Sequence, residues 1–263
     1  DRQVATITGD LGRLAERGRG LDAMAGEYAR QAVRKVRVED VVPRAMDLFR
    51  QVERLTRTQA LAATALEGPE AELLRRCGES LPAILRGETD PLSVLFAEGG
   101  PAAIYRDAPV YEAANRLVAL AAAHAAPPAG RLRVLEIGAG TGGTTAAVLE
   151  ALGAGRADYW FTDVSPSFLA DAGERFGVAT TRRLDVEQPL AAQGIPEAQF
   201  DLVVAANVLH ATAGIEASLA AVLSRVAPGG VLALVELLRA PRWVDLVFGT
   251  TPGWWRYDGD PRR

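Results

Sequence analysis

The first part of the chain places apolar residues at helical spacing. Such positions recur three and four residues apart over Leu11–Val36, Val41–Leu55, Glu70–Arg76 and Val110–Ala123, which predicts amphipathic helices. Clusters such as Glu98-Gly99-Gly100-Pro101 separate these stretches. We therefore expect a helical region over residues 1–126.

Beyond the segment Ala125–Gly130, which is rich in proline and glycine, the pattern changes. Short apolar runs now alternate with helical stretches, which is typical of a parallel sheet covered by helices on both faces. The sequence therefore predicts an α/β core over residues 131–263. Its expected strands are Leu132–Ile137, Ala157–Thr162, Val178–Leu184, Leu202–Ala206 and Val231–Leu237.

Composition narrows the class of protein. The 263 residues are 49% hydrophobic and 24% charged, with a formal net charge of -4, as in an ordinary soluble domain. Without a basic block or a long apolar run, we expect no nucleic-acid partner and no membrane association. A single cysteine, Cys77, fits a reducing compartment, so we expect a cytoplasmic protein. One cysteine and two distant histidines also predict no metal site.

The strongest local signal is a glycine-rich turn between a predicted strand and a predicted helix, over Val134–Thr145. Gly138, Gly140 and Gly142 let the backbone turn sharply and approach a ligand. With Gly143, the turn also satisfies the dinucleotide pattern G-x-G-x-x-G. Glu136 favours another ligand, because a carboxylate at the strand end repels a pyrophosphate but suits the cationic methionine part of S-adenosylmethionine.

Two more acids end predicted strands. Asp163 follows the second strand, where a carboxylate can accept both ribose hydroxyls of an adenosine. Asp185 follows the third, where an acid meets an adenine amino group. Taken alone, each has a structural alternative as a helix N-cap or an ordinary loop residue.

His210 follows the fourth predicted strand, and Glu236 lies near the end of the fifth. Ligands of doubly wound sheets bind at the carboxyl ends of the strands. A carboxylate beside an imidazole can fix its tautomer and raise its basicity. His210 and Glu236 are therefore a candidate base and orienting group, with a helix-capping histidine and an unrelated glutamate as the alternative.

Aromatic residues follow the fifth predicted strand. We expect Trp254, Trp255 and Tyr257 to wall a substrate chamber, although packing against other parts of the domain explains them equally well.

The combined motifs resemble the methyltransferase domains of modular type I polyketide synthases. The resemblance is carried by Val134–Thr145, Tyr159–Phe168, Val203–Thr212 and Arg242–Trp255, with Leu85–Leu92 and Ile104–Pro109 before them. It implies a class I methyltransferase Rossmann-like fold with an N-terminal helical lid. It also implies His210 as catalytic base, assisted by Glu236.

A complete sheet of that class has two more strands than the five predicted here. We therefore expect the last core strands to be missing. The first residue is not methionine, and we also expect an excised piece of a longer polypeptide.

The resemblance implies the cofactor, with S-adenosylhomocysteine as its product. To the acids and glycines above we add Tyr105, Ala139, Val164, Val186 and Asn207 as expected cofactor contacts.

The implied reaction is methylation of a polyketide intermediate held by an acyl carrier protein, with neighbouring synthase domains as further partners. We expect the α-carbon of a β-ketoacyl thioester to be the acceptor. Methylation of an oxygen stays open, as do an inactive methyltransferase-like module and a nicotinamide oxidoreductase.

Overall fold

The computed structural model describes residues 11–57, 66–97, 100–170, 172–178, 180–237, 240–251 and 254. The chain forms two compact units. We call residues 1–110 with 238–263 the helical unit, and residues 111–237 the sheet unit. None of the helices in the described ranges combines the length and hydrophobicity that a bilayer-crossing segment requires.

Among its described residues, the helical unit has five α-helices that precede the sheet unit and one that follows it. They are α1 (Leu11–Lys35), α2 (Met46–Leu55), α3 (Pro69–Leu85), α4 (Pro91–Leu95), α5 (Gly100–Asp107) and α11 (Arg242–Phe248). Apolar residues four apart on α1 are fully buried, namely Leu21, Ala25 and Ala29. The periodicity of α1 therefore marks the face that packs against the other helices.

Helix α6 (Pro109–Ala125) leads into the sheet unit. The strands are β1 (Leu132–Ile137), β2 (Ala157–Asp163), β3 (Thr180–Arg183), β4 (Phe200–Ala206) and β5 (Val226–Val235). Between them lie α7 (Gly143–Leu152), α8 (Pro166–Leu169), α9 (Ala172–Phe176) and α10 (Ile215–Leu223). All paired strands are parallel, in the order β3-β2-β1-β4-β5.

Alternation along β1 divides its side chains between two cores. Val134 packs with Val118 and Ala122 of α6 and with Val148 of α7. Leu135 and Ile137 face the other way, towards Leu209 and Val222. Helices therefore cover both faces of the sheet, which confirms the predicted fold class.

The unit boundaries differ from the predicted break at Ala125–Gly130. Because Val118 and Ala122 are buried in the core of the sheet, most of α6 belongs to the sheet unit. The segment after the sheet returns to the helical unit, where Asp22 accepts a hydrogen bond from the Trp243 N–H at 3.0 Å. The lid role of residues 1–126 stays a prediction.

Candidate active site

The carboxyl ends of the five parallel strands meet at one edge of the sheet. Connections leave the central pair β1 and β4 in opposite directions, which opens a crevice above this pair. The glycine turn follows β1, and Asp163 ends β2. Asp185, His210 and Glu236 follow β3, β4 and β5. The topology thus brings the residues predicted from separate motifs to a single edge.

The glycine turn runs from β1 into α7 with three residues in the left-handed region. Gly138, Gly140 and Gly142 have φ values of +64°, +54° and +76°, which glycine adopts without strain. A Cβ on Gly138 would lie 2.4 Å from Val208 Cγ2. On Gly140 the nearest atom would be the Gly138 carbonyl oxygen at 3.8 Å. Gly138 therefore serves close packing, while Gly140 faces open space.

Glu136 lies two residues before the turn, and its side chain is buried on the face of the sheet that α7 covers. Its Oε2 accepts hydrogen bonds from Thr145 in the first turn of α7 and from the Tyr159 hydroxyl, the latter at 2.7 Å. The neighbouring Thr144 donates to Asn115 Oδ1 at 2.8 Å. These bonds fix the start of α7, and with it the glycine turn.

Asp163 is buried, and its carboxylate accepts hydrogen bonds from the backbone of two loops. Its Oδ2 accepts the Gly140 N–H at 2.9 Å, and its Oδ1 accepts the Ser165 N–H at 2.8 Å. Each carboxylate oxygen can accept a second hydrogen bond, so Asp163 retains capacity for a ligand. The adjoining Val164 is 52% exposed, an apolar surface at the same edge. Ala139 is buried in the turn and donates its N–H to the Thr162 carbonyl at 2.9 Å.

The backbone of Asp185 is clamped by Gln193. The Asp185 N–H donates to Gln193 Oε1, and Gln193 Nε2 donates to the Asp185 carbonyl, both at 2.8 Å. The Asp185 side chain accepts the Glu187 N–H through Oδ1 at 2.9 Å. Leu184 and Val186, on either side of Asp185, are both buried in one core.

Asn207 directly follows β4 and has a left-handed conformation, with φ of +57°. Its N–H donates to the Val235 carbonyl at 2.7 Å. The reversal directs the chain into a 3-10 turn over Leu209–Ala211, which carries His210. Residues other than glycine rarely adopt this backbone conformation, and asparagine tolerates it better than most.

The Glu236 carboxylate forms hydrogen bonds with three successive residues at the start of that turn. Its Oε1 accepts the N–H groups of Val208 at 3.0 Å and Leu209 at 2.7 Å, and its Oε2 lies 2.6 Å from His210 Nδ1. Burial alone would raise the pKa of Glu236, but the His210 hydrogen bond and charge and the two N–H groups outweigh it and lower that pKa. An ionised Glu236 makes Nδ1 the protonated nitrogen of a neutral imidazole. Nε2 then carries the lone pair, as a general base requires.

The remaining predicted residues belong to the helical unit or lie outside the described residues. Tyr105 lies on α5 in the helical unit, and burial raises the pKa of its phenol. Trp254 is also in the helical unit, where its ring stacks on Phe248 and its N–H donates to Asp245 at 3.1 Å. Trp255 and Tyr257 lie outside the described residues. Within the described ranges, no three histidine, cysteine or acidic side chains group as metal ligands.

Sequence reasoning missed Thr145, Tyr159 and Gln193. Thr145 points inward in the first turn of α7. In the sequence, the one signal for its role is its spacing from Glu136. Tyr159 looks like an ordinary strand residue, and its hydroxyl acquires a role because β2 pairs with β1.

Comparisons with known proteins agree with this arrangement. A family model for a methyltransferase domain matches residues 135–232. The highly reducing polyketide synthase acrA of Aspergillus aculeatus is 39% identical over 210 residues, which are 78% of this chain and 9% of that synthase. The crystal structure of the CurJ carbon methyltransferase has a TM-score of 0.80 and 29% identity, and the match covers 98% of this chain and 84% of that one.

The chain is a methyltransferase domain, similar to the methyltransferase domains of polyketide synthases. A third relative supports this assignment, the trans-methyltransferase CalH in complex with SAH, with a TM-score of 0.73, 27% identity, and coverage of 96% of this chain and 79% of that one. The methyltransferase domain depends on S-adenosylmethionine, as the glycine turn and its acids predict. It spans 9% of the length of the acrA synthase.

Proposed function

We propose that this methyltransferase domain transfers a methyl group to the α-carbon of a β-ketoacyl thioester. The acyl group would be carried by the phosphopantetheine arm of an acyl carrier protein. The single observation that carries the proposal is the pairing of His210 with Glu236 at the carboxyl edge of the sheet, beside the glycine turn. This pairing supplies a base where a methyl donor and an acidic carbon can meet.

The residues at the carboxyl edge suit the donor. Gly140 leaves room for close approach, Asp163 retains acceptor capacity for two ribose hydroxyls, and Val164 offers an apolar surface to the adenine. Asp185 has one carboxylate oxygen beyond its bond to the Glu187 N–H, which suits the adenine amino group. When bound, S-adenosylmethionine supplies an electrophilic methyl group and leaves as neutral S-adenosylhomocysteine.

The further contacts in the proposal rest on the sequence. Ala139, Val186 and Asn207 complete the cofactor side of the sheet unit. Tyr105 of the helical unit would contact the cofactor. Trp254, with Trp255 and Tyr257, would contact the acyl chain.

His210 performs the proton transfer. The flanking carbonyls acidify the α-proton, and His210 Nε2 removes it. The electron pair of the broken carbon–hydrogen bond stays on the substrate, which becomes an enolate. The α-carbon of this enolate then forms a bond to the incoming methyl group. Glu236 stabilises the imidazolium that results, because its carboxylate lies 2.6 Å from Nδ1. Orientation of the two reactants supplies much of the remaining rate.

The chemistry of one relative supports the proposed acceptor. CurJ is a carbon methyltransferase and aligns with 98% of this chain, which favours carbon over oxygen here. The polyketide synthase relatives support neighbouring synthase domains and a carrier protein as the proposed partners. Cys77 is a buried free thiol, which suits a reducing cytoplasm.

The test is intact-mass analysis of acyl carrier protein loaded with a β-keto or a β-hydroxy substrate. We expect the mass of one methyl group to be gained on the β-keto substrate. Gain on the β-hydroxy substrate alone would establish oxygen methylation. Gain on neither, in a domain that binds the cofactor, would refute the proposed reaction.

Variants of the histidines test the base. His210→Ala should lower single-turnover rate by about 10²–10⁴-fold without weakening cofactor binding. His124→Ala is the matched control, because His124 is exposed on α6 and its Nδ1 contacts the Leu120 carbonyl at 2.9 Å. It should retain full activity, and equal loss in both variants would count against His210 as base.

A further inference from the structure

The carboxyl group of Glu136 is divided between two environments. Its Oε2 is shared by the hydroxyls of Thr145 and Tyr159, which are themselves buried. Its Oε1 accepts no hydrogen bond from the described part of the chain. The structure therefore holds a buried carboxyl group in place through one oxygen and leaves the other oxygen with acceptor capacity.

The surroundings of Glu136 contain few charges. In register, its neighbours are Phe161 on β2 and Val204 on β4. Helix α7 contributes Thr145, and α6 reaches the same region through Asn115, which accepts from Thr144. The titratable groups that act on the carboxyl group, Tyr159 and Asp163, both belong to β2. No cation from the described elements balances a charge on Glu136.

The protonation of Glu136 follows from this setting. Its pKa is raised from 4.5 to about 7, because burial and the negative charge of Asp163 raise it by more than the hydrogen bonds from Thr145 and Tyr159 lower it. A large fraction of free molecules therefore carries the proton near neutral pH. A cation placed beside Oε1 would favour the ionised form and release that proton.

We propose that Glu136 is an ionisation switch for cofactor binding, which gives up its proton when the ammonium group of the methionine part binds beside Oε1. The inference rests on the proposed function, because it requires the cofactor to occupy the glycine turn. Thr145 and Tyr159 act through Glu136 as positioning residues. They hold its carboxyl group at the end of β1 and stabilise its charged form.

The experiment is calorimetry of the whole domain with S-adenosylhomocysteine, which carries the same ammonium group. We expect the Kd to be about tenfold higher at pH 6 than at pH 8, because the ionised fraction of a carboxyl group with a pKa of about 7 changes by that factor. Titrations in two buffers of different ionisation enthalpy should show proton release on binding at pH 6. Glu136→Gln should bind more weakly, with no proton release and no dependence on pH.

Two further variants test the positioning residues. Tyr159→Phe and Thr145→Val each remove one hydroxyl that stabilises the carboxylate, so each should move the midpoint of the Kd–pH curve to higher pH. A merely structural role would change the melting temperature and leave that midpoint in place. His124→Ala is the control, because His124 lies beside Asp201 and Pro228, away from the glycine turn. It should keep the wild-type curve.

The outcomes separate the two proposals. Failure to bind S-adenosylhomocysteine at every pH would overturn the proposed function. Binding that is independent of pH in the wild type, or an unshifted midpoint in both hydroxyl variants, would overturn the ionisation switch alone. If Tyr159→Phe does not fold, Thr145→Val carries the test, because valine fills nearly the same volume as threonine.

Discussion

Alanine substitutions at two positions of the glycine turn should have different effects. One should mainly lower the stability of the fold, and the other should mainly weaken cofactor binding. In Gly138→Ala the new Cβ would lie 2.4 Å from Val208 Cγ2. Val208 is stiff and its N–H is held by Glu236, so it cannot easily move away. Left-handed strain of about 1 kcal/mol adds to overpacking of roughly 1–3 kcal/mol. We expect a total loss of about 2–4 kcal/mol of unfolding free energy.

Gly140→Ala should behave differently. Its φ of +54° imposes similar strain, but the new Cβ meets no atom closer than 3.8 Å. The stability cost is then about 1 kcal/mol, while the methyl group occupies the space proposed for the cofactor. We expect the Kd for S-adenosylhomocysteine to rise at least about tenfold, the effect of a loss of roughly 1.4 kcal/mol of binding free energy.

Gly155→Ala is the matched control. Gly155 has φ of +72°, and a Cβ added there would have no atom within 4 Å. It lies between α7 and β2, outside the glycine turn. The variant should lose about 1 kcal/mol of stability and bind normally. Urea unfolding and calorimetry on all three variants decide the matter. If Gly140→Ala binds as well as Gly155→Ala, the open side of the turn is not the cofactor surface.

Three further predictions concern stability. As the pH rises from 5 to 8, the wild type should lose about 2.5 kcal/mol of unfolding free energy that Glu136→Gln keeps, because the folded pKa of Glu136 is raised from 4.5 to about 7. An equal difference between the two proteins at both pH values in urea unfolding would contradict this. Asn207→Ala should lower the free energy of unfolding by about 1 kcal/mol, and Asn207→Gly should lower it much less, since φ at this position is +57°. Equal melting temperatures for the two variants would show that the left-handed backbone does not decide the effect. Arg17→Met should cost about 3 kcal/mol, because it leaves the buried Glu70 carboxylate without its partner at 2.8 Å, and adding Glu70→Gln should restore most of the loss.

The sequence predicted the fold well where patterns are local. β1 was predicted at Leu132–Ile137 and has those bounds. β5 was predicted from Val231 but begins at Val226, because its pairing with β4 continues through a register shift between Phe200 and Leu202. Pro228 and Gly229 lie within this extended strand, where tertiary pairing overrides their tendency to form a turn.

Helix α3 shows the same limit. It was predicted over Glu70–Arg76 and runs over Pro69–Leu85, although Gly78 and Pro82 interrupt the helical pattern. A Cβ on Gly78 would lie 2.3 Å from the ring of Tyr28. The glycine therefore permits close packing against α1, a contact that no local pattern reveals.

The candidate site was predictable only in part. Strand-end positions marked Asp163, His210 and Glu236, because parallel strands share their carboxyl edge. The double role of Glu236, which binds two N–H groups and the imidazole, depends on the side-by-side placement of β4 and β5. The hydroxyl pair on Glu136 likewise needs two elements to meet in three dimensions.

The return of α11 to the helical unit has a consequence for synthesis on the ribosome. The sheet unit is one uninterrupted stretch, whereas the helical unit is assembled from stretches on either side of it. Asp22 and Gln51 form hydrogen bonds with α11, to the Trp243 N–H and the Asp245 carboxylate respectively. These bonds cannot form until α11 has been synthesised. Since the chain emerges from its N-terminus, the first helices are made early but gain their last helix only after the whole sheet unit has been translated.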